Sequence, residues 1–282
     1  MGAEKRANVQ AERVVEQAEQ AERADQVGDL LQQTFDELVQ ESEQSFSGWD
    51  FSYLSKHGRM AEFPLPWNYA SVLIPYISKA QSMLDMGTGG GEFLQLLSER
   101  CPLPLRTEAT EGYKPNVAVA QHNLSSLGVK VHYFEDDASL PFADAAFDLI
   151  TNRHESFDAN ELYRMMKPGG VFITQQVGGD NDQEFNRALG APEVEHYDWT
   201  CDKAEQQLRA AGFTVLKRAD ESTWSRFYDI GAIIYYLRAI PWQIEDFTVE
   251  AYKEGLLKLH QQVQDQGYVE VTCHRFLLIV KK

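Results

Sequence analysis

The chain has 282 residues, a formal net charge of −17 at pH 7, and 43% hydrophobic and 11% aromatic residues. That length and apolar content suffice for one large domain with additions, and the acidic balance disfavours a nucleic acid as partner. No apolar run is long enough to span a bilayer; the opening MGAEKRANVQ lacks a secretory apolar core, and Cys101, Cys201 and Cys273 have neither disulfide-framework nor zinc spacing, so the cytoplasm is the expected compartment.

Residues 1–44 are rich in Ala, Glu and Gln. Val27, Leu30, Leu31, Phe35, Leu38 and Val39 recur at helical spacing, whereas Val14, Ala18 and Ala21 mark a weaker, more polar helix. This extension is either a solvated helix or one docked on the domain or on a second subunit, so a monomer or a homodimer is expected. Residues 45–80 turn aromatic in FSGWDFSYL and FPLPWNYA, with Pro64 and Pro66 breaking regular structure. They predict an irregular cover segment and a helix from about Trp67.

From residue 81 strands and helices alternate. Strands are expected at 82–86, 105–110, 129–134, 147–151, 170–176, 213–218 and 272–280, and helices at 92–99, 114–127, 159–166, 202–211, 228–240 and 248–264. The pattern predicts an α/β, doubly wound, mostly parallel sheet. The core spans 81–221, a helical and aromatic insert spans 222–271, and the last strand lies in 272–282.

Between the first strand and its helix the sequence reads SMLDMGTGGGEFLQLL. Glycines at Gly87, Gly89, Gly90 and Gly91 permit positive φ and let a ligand approach the backbone. The carboxyl edge of such a strand is where an open α/β sheet binds its ligand. A dinucleotide fingerprint would place glycine where Glu92 stands, and no phosphate-loop lysine follows. Asp85 ahead of the glycines suits a ligand with a cationic amino group better than a diphosphate.

The segment LDMGTGGG resembles the first motif of the class I S-adenosylmethionine-dependent methyltransferases. TEATEGYKPNVAVAQHNL, DDASLPFADAAFDLI and LYRMMKPGGVFITQQV resemble the motifs that follow it, in the same order. The resemblance implies a Rossmann-like sheet of seven strands, the last antiparallel, and S-adenosylmethionine as cofactor. It implies a loop of Gly87, Thr88, Gly89 and Gly91 beside the methionine part, with Asp85 on its amino group. Glu111, followed by Gly112, would take the ribose hydroxyls, with Glu108 as the competing residue. Asp137, followed by Ala138, would meet the adenine amino group, with Asp136 competing.

The acceptor is expected beyond the fourth strand, at Thr151-Asn152-Arg153-His154-Glu155-Ser156-Phe157. Imidazole titrates near neutral pH, so His154 is either a base or acceptor-orienting group assisted by Arg153 or Glu155, or a structural loop residue. Asn152 sits at the cofactor edge and suits backbone satisfaction. Gln175 and Gln176 end the fifth strand, and alternation sends only one of them toward the acceptor. Trp49, Trp67, Tyr228 and Tyr235 are candidate acceptor-pocket aromatics, and Arg59 a candidate for an acidic acceptor or the cofactor carboxylate. His57, His196, His260 and His274 lack metal-ligand spacing, so no metal is expected. The expected activity is methyl transfer to an oxygen or nitrogen of a small molecule. An RNA-base methyltransferase and a non-catalytic S-adenosylmethionine-binding regulator are the alternatives.

Overall fold

The computed structural model describes residues 31–46 and 51–282. Val14, Ala18, Ala21, Val27, Leu30 and Trp49 lie outside the described residues. The described residues begin with helix α1 over residues 31–41, followed by α2 (Ser52–Ser55), β1 (Met60–Glu62) and α3 (Tyr69–Ile77). The core continues with β2 (Ser82–Met86), α4 (Glu92–Ser98), β3 (Arg106–Glu111), α5 (Lys114–Leu124), β4 (Lys130–Tyr133), β5 (Phe147–Arg153), α6 (Ala159–Met165) and β6 (Met166–Val177). It ends with α7 (Gln183–Leu189), α8 (Cys201–Ala210), β7 (Thr214–Phe227), α9 (Ile230–Ala239), α10 (Lys253–Gln266) and β8 (Val269–Lys281). Asn68, Asp158, Thr200 and Asp229 cap α3, α6, α8 and α9 by accepting a backbone N–H with their side chains, which sets where those helices begin.

One mixed sheet runs β1-β7-β8-β6-β5-β2-β3-β4. β2 pairs in parallel with β3 and β5, β3 with β4, and β5 with β6, while β8 runs antiparallel between β6 and β7. All five residues of β2 are buried, as expected of a parallel strand covered on both faces. Helices α3, α4 and α5 cover one face through Leu73, Ile77, Leu94, Leu97 and Leu124. On the other, α6 and α8 contribute Leu162, Met165, Ala204 and Leu208.

The sheet has eight strands rather than the expected seven. β7 runs 14 residues to Phe227 instead of stopping at 218, and its far half, which pairs with β8, also accepts β1: Met60 lies opposite Phe227 and Glu62 opposite Ser225. The stretch ADESTWSR lies beyond the expected strand, and its solvated polar side chains carry no strand pattern. α7 was likewise not anticipated.

The insert and the N-terminal extension share a separate apolar cluster. Phe35 of α1, Leu54 of α2 and Phe185 of α7 pack against Ile230, Ile233, Ile234 and Leu237 of α9 and Leu256 and Leu259 of α10. The described part of the extension is therefore docked rather than solvated. Among the described residues no helix is long and apolar enough to cross a membrane.

Candidate active site

After β2 the chain turns through Gly87, Gly89 and Gly91 at φ +67°, +62° and +87°, a region where a side chain is strained. Space is short as well: a Cβ on Gly87 would lie 2.5 Å from Cβ of Glu155, and one on Gly91 would lie 2.7 Å from Cγ of Leu124. The loop is tied to β3. Thr88 N donates to the Thr110 carbonyl at 2.9 Å, and Gly89 N donates to Oε2 of Glu111 at 2.7 Å. The second oxygen of Glu111 accepts from Tyr113 N at 2.7 Å. Glu111 is thus buried at the loop, whereas Glu108 is occupied by His132 at 2.8 Å and Arg106 at 3.1 Å. The geometry separates the two glutamates in favour of Glu111. Gly112 follows it where a Cβ would press on the Phe134 ring at 3.3 Å.

Three further carboxylates face the same loop. Asp85 is buried and accepts from the Thr151 hydroxyl at 2.7 Å. Burial raises its pKa to about 6, and nearby Glu111 adds to the shift. Glu155 is raised to about 7 by burial, then by Asp137 and Glu111. Asp137 is raised by burial; one of its oxygens takes the Ser156 hydroxyl, while Oδ1 is buried with no partner among the described residues. Asp136 instead closes a local turn by accepting from Ala138 N at 2.9 Å, so Asp137 is the acid with an acceptor oxygen to offer.

At the end of β5 the Asn152 side chain is spent internally. Its oxygen accepts from the Thr174 hydroxyl at 2.9 Å and Gln176 Nε2 at 2.6 Å, and its nitrogen donates to the Ser156 carbonyl at 3.3 Å. Asn152 therefore fixes the loop and does not present its amide to a cofactor. Tyr69 buttresses the same point, donating to the Asn152 carbonyl at 2.9 Å.

His154 adopts φ +61° and donates its backbone N–H to the Gln175 carbonyl at 2.8 Å. A relay runs to its ring: Trp67 Nε1 donates to Gln175 Oε1 at 2.8 Å, and Gln175 Nε2 lies 3.1 Å from His154 Nε2. With the Gln175 amide so oriented, Nε2 is the acceptor and the imidazole proton sits on Nδ1. His154 is exposed as a residue, yet desolvation of its ring, followed by Arg275 and Arg153, holds its pKa well below the ordinary histidine value. His154 is thus a neutral imidazole whose Nε2 lone pair is engaged. Gln176 points the other way, as strand alternation requires.

Several expected acceptor residues lie elsewhere. The Arg59 guanidinium is committed to Asp229, with Nε at 2.7 Å from Oδ2 and Nη2 at 2.5 Å from Oδ1, and it anchors α9 rather than waiting for an acceptor. Tyr235 is buried in the insert cluster, its ring 4.9 Å from that of Tyr53. Tyr228 is partly exposed and bonds by its backbone to the Arg59 carbonyl. Conversely, Arg275 of β8, whose charge helps to lower the His154 pKa, was missed. Its signal, an arginine amid the apolar run of CHRFLLIV, is visible only once β8 is known to neighbour β6.

Residues 84–174 match the family described as a methyltransferase domain. The demethylmenaquinone methyltransferase of Thermus thermophilus is 31% identical over 117 residues, covering 39% of this chain and 53% of that protein. The malonyl-[acyl-carrier protein] O-methyltransferase of a Marinomonas species is 29% identical over 175 residues, covering 58% and 64%. The matches thus span between half and two thirds of these relatives' length. Among solved structures, a candidate methyltransferase of Bacillus halodurans C-125 superposes with a TM-score of 0.55 at 19% identity, over 76% of this chain and 98% of its own. The YcgJ protein of Bacillus subtilis does so with 0.52 at 18%, over 76% and 97%. At such identities these two show the fold alone. Over residues 84–174 the chain thus matches a methyltransferase domain, set on a mostly parallel sheet with the glycine loop at the carboxyl end of β2.

Proposed function

We propose that the protein transfers a methyl group from S-adenosylmethionine to an oxygen or nitrogen of a small-molecule acceptor. The observation that carries this is a glycine turn ringed by Asp85, Glu111, Asp137 and Glu155, opening beside the Trp67–Gln175–His154 relay. Four carboxylates would repel a diphosphate. They fit a ligand with an ammonium, a sulfonium and a base amino group, and the unpartnered Oδ1 of Asp137 is a buried acceptor that such a donor would satisfy. When bound, that cofactor supplies an electrophilic methyl carbon with a neutral leaving group.

The chain's own residues then bind and orient. Asp85 would hold the amino group and Asp137 the adenine amine. Glu111, fixed by two backbone N–H groups, keeps lone pairs for the ribose hydroxyls. On the acceptor side, His154 and Gln175 are held in fixed orientations by Trp67, which favours alignment of an incoming nucleophile over random encounter. Because His154 Nε2 already accepts a hydrogen bond, its role is to position the acceptor through Nδ1–H rather than to remove a proton. One relative is by name an O-methyltransferase, which supports oxygen as an acceptor atom.

Gly89→Val tests the loop directly. The substitution forces a β-branched residue to φ +62° and disturbs the N–H that Glu111 holds. The folded variant should lose S-adenosylhomocysteine binding in calorimetry; undiminished affinity in a folded variant would remove the loop assignment.

A further inference from the structure

Of the carboxylates that ring the glycine turn, Glu155 is the one with no partner assigned above. β5 pairs beside β2, with Asn152 opposite Met86, so the loop after β5 borders the loop after β2. Glu155 is pinned there by its backbone: its carbonyl accepts from Nε2 of the buried Gln176 at 2.9 Å. Its side chain then lies against Gly87. A Cβ on Gly87 would stand 2.5 Å from Glu155 Cβ and 2.6 Å from both Cγ and Oε2. The bare glycine at this position makes room for the Glu155 side chain and brings its carboxylate onto the turn itself.

That carboxylate is poorly satisfied. Among the described residues Ser156 alone offers it a donor, and the hydroxyl lies 3.5 Å from Oε1. The hydroxyl has a single proton and is bonded more closely to Oδ2 of Asp137. Burial first, then the acids Asp137 and Glu111, raise the pKa of the half-buried Glu155 to about 7. A cation bound in the turn would offset the cost of keeping this group ionised.

Order along the turn decides which part of the cofactor supplies the cation. Asp85, ahead of the turn, is the residue proposed for the ammonium. Glu111, which holds the N–H of Gly89, is the residue proposed for the ribose hydroxyls. Gly87, with Glu155 on it, lies between them. In S-adenosylmethionine the sulfonium stands between the ammonium-bearing chain and the ribose. It has no N–H or O–H, so its charge is what a protein can recognise, and a carboxylate with little hydrogen bonding of its own suits it. We propose that Glu155 senses the sulfonium charge and so favours S-adenosylmethionine over S-adenosylhomocysteine, the neutral thioether left after transfer. The inference rests on the cofactor reading above. Methyl transfer removes the charge that Glu155 holds, so the residue promotes exchange of spent cofactor for fresh rather than lowering the barrier.

Calorimetric titration of the full chain with each ligand, at about pH 8 where Glu155 is ionised, tests this without an acceptor. Glu155→Gln keeps the shape of the side chain and removes its charge. It should lower the ratio of S-adenosylmethionine affinity to S-adenosylhomocysteine affinity by about tenfold or more. Asp85→Asn is the contrast: both ligands carry the ammonium, so it should weaken both and leave the ratio within about twofold of wild type. An unchanged ratio in Glu155→Gln overturns the proposal, and a shared loss there assigns the residue to the ribose or the ammonium. A ratio that falls in Asp85→Asn instead gives the role to Asp85 and also overturns it. Should Glu155→Gln fail to fold, proton release by the wild-type protein decides. At about pH 6.5, titrations in buffers of different ionisation enthalpy should show more protons released by S-adenosylmethionine than by S-adenosylhomocysteine; equal release overturns the proposal. Wild-type protein that binds neither ligand removes the cofactor reading instead.

Discussion

Asp85 and Glu155 are the single residues on which the proposed cationic cofactor would act most. With their pKa values raised to about 6 and about 7, both are partly protonated in mildly acidic solution, and a bound ammonium or sulfonium would favour the ionised forms. Cofactor binding should therefore release protons. The affinity for S-adenosylhomocysteine, which retains the ammonium, should rise from pH 5 to 7, by up to about tenfold per pH unit for each carboxylate below its pKa. Calorimetry in buffers of different ionisation enthalpy would count the protons; an affinity flat across this range would disconnect these acids from the ligand.

Asp182 carries the same kind of cost without a place in the cofactor cradle. It is 2% exposed, sits at φ +59°, and accepts from the Tyr236 hydroxyl at 2.8 Å. Burial raises its pKa from 3.8 to about 7. The native state thus binds a proton that the unfolded state has released, and stability falls as pH rises from about 4 to 7. Asparagine tolerates the left-handed conformation and keeps an oxygen for Tyr236. Asp182→Asn should raise stability at pH 8 by roughly 1–3 kcal/mol and change little at pH 4, as read from urea midpoints. Destabilisation at pH 8 would mean that the ionised carboxylate is needed, with Arg275 as the nearby cation.

At the scale of elements, helix α1 is a structural member of the insert rather than an ornament. Phe35 is 1% exposed and meets the His260 ring edge-on at 5.9 Å. Phe35→Ala should cost about 3–5 kcal/mol; a urea midpoint shift corresponding to less than about 1 kcal/mol would show that α1 contributes little.

How legible these elements were depended on local chemistry. β2 and α4 were read closely because a buried apolar run, three left-handed glycines and a helical run adjoin in sequence. The helix starts expected at 159 and 202 fall within a residue of those observed, where Asp158 and Thr200 cap α6 and α8. β1 and the far half of β7 escaped because Met60–Glu62 is too short for any period, and ADESTWSR pairs through its backbone while leaving charged side chains in water. The same logic governs the site. The glycine loop, Asp85 and Glu111 lie on local motifs and were legible as candidates, and weighing Asp136 against Asp137 needed the direction of their side chains. The pairing of Arg59 and the place of Arg275 were not legible because the partner of each is far along the chain: Asp229 holds the first, and β8 sets the second opposite Val177 of β6.

Across the whole molecule, Asp85, Glu111 and Glu155 gather around the glycine turn at the carboxyl ends of the parallel strands, as a cradle proposed for a cationic cofactor. That organisation stands or falls with the cofactor. The most direct measurement is calorimetric titration of the purified full chain with S-adenosylhomocysteine, with NADH as the control. Saturable binding of the first at one site per chain, with no heat from the second, is the predicted result. Binding of NADH in preference to S-adenosylhomocysteine would contradict the reading of the glycine loop and every assignment built on it.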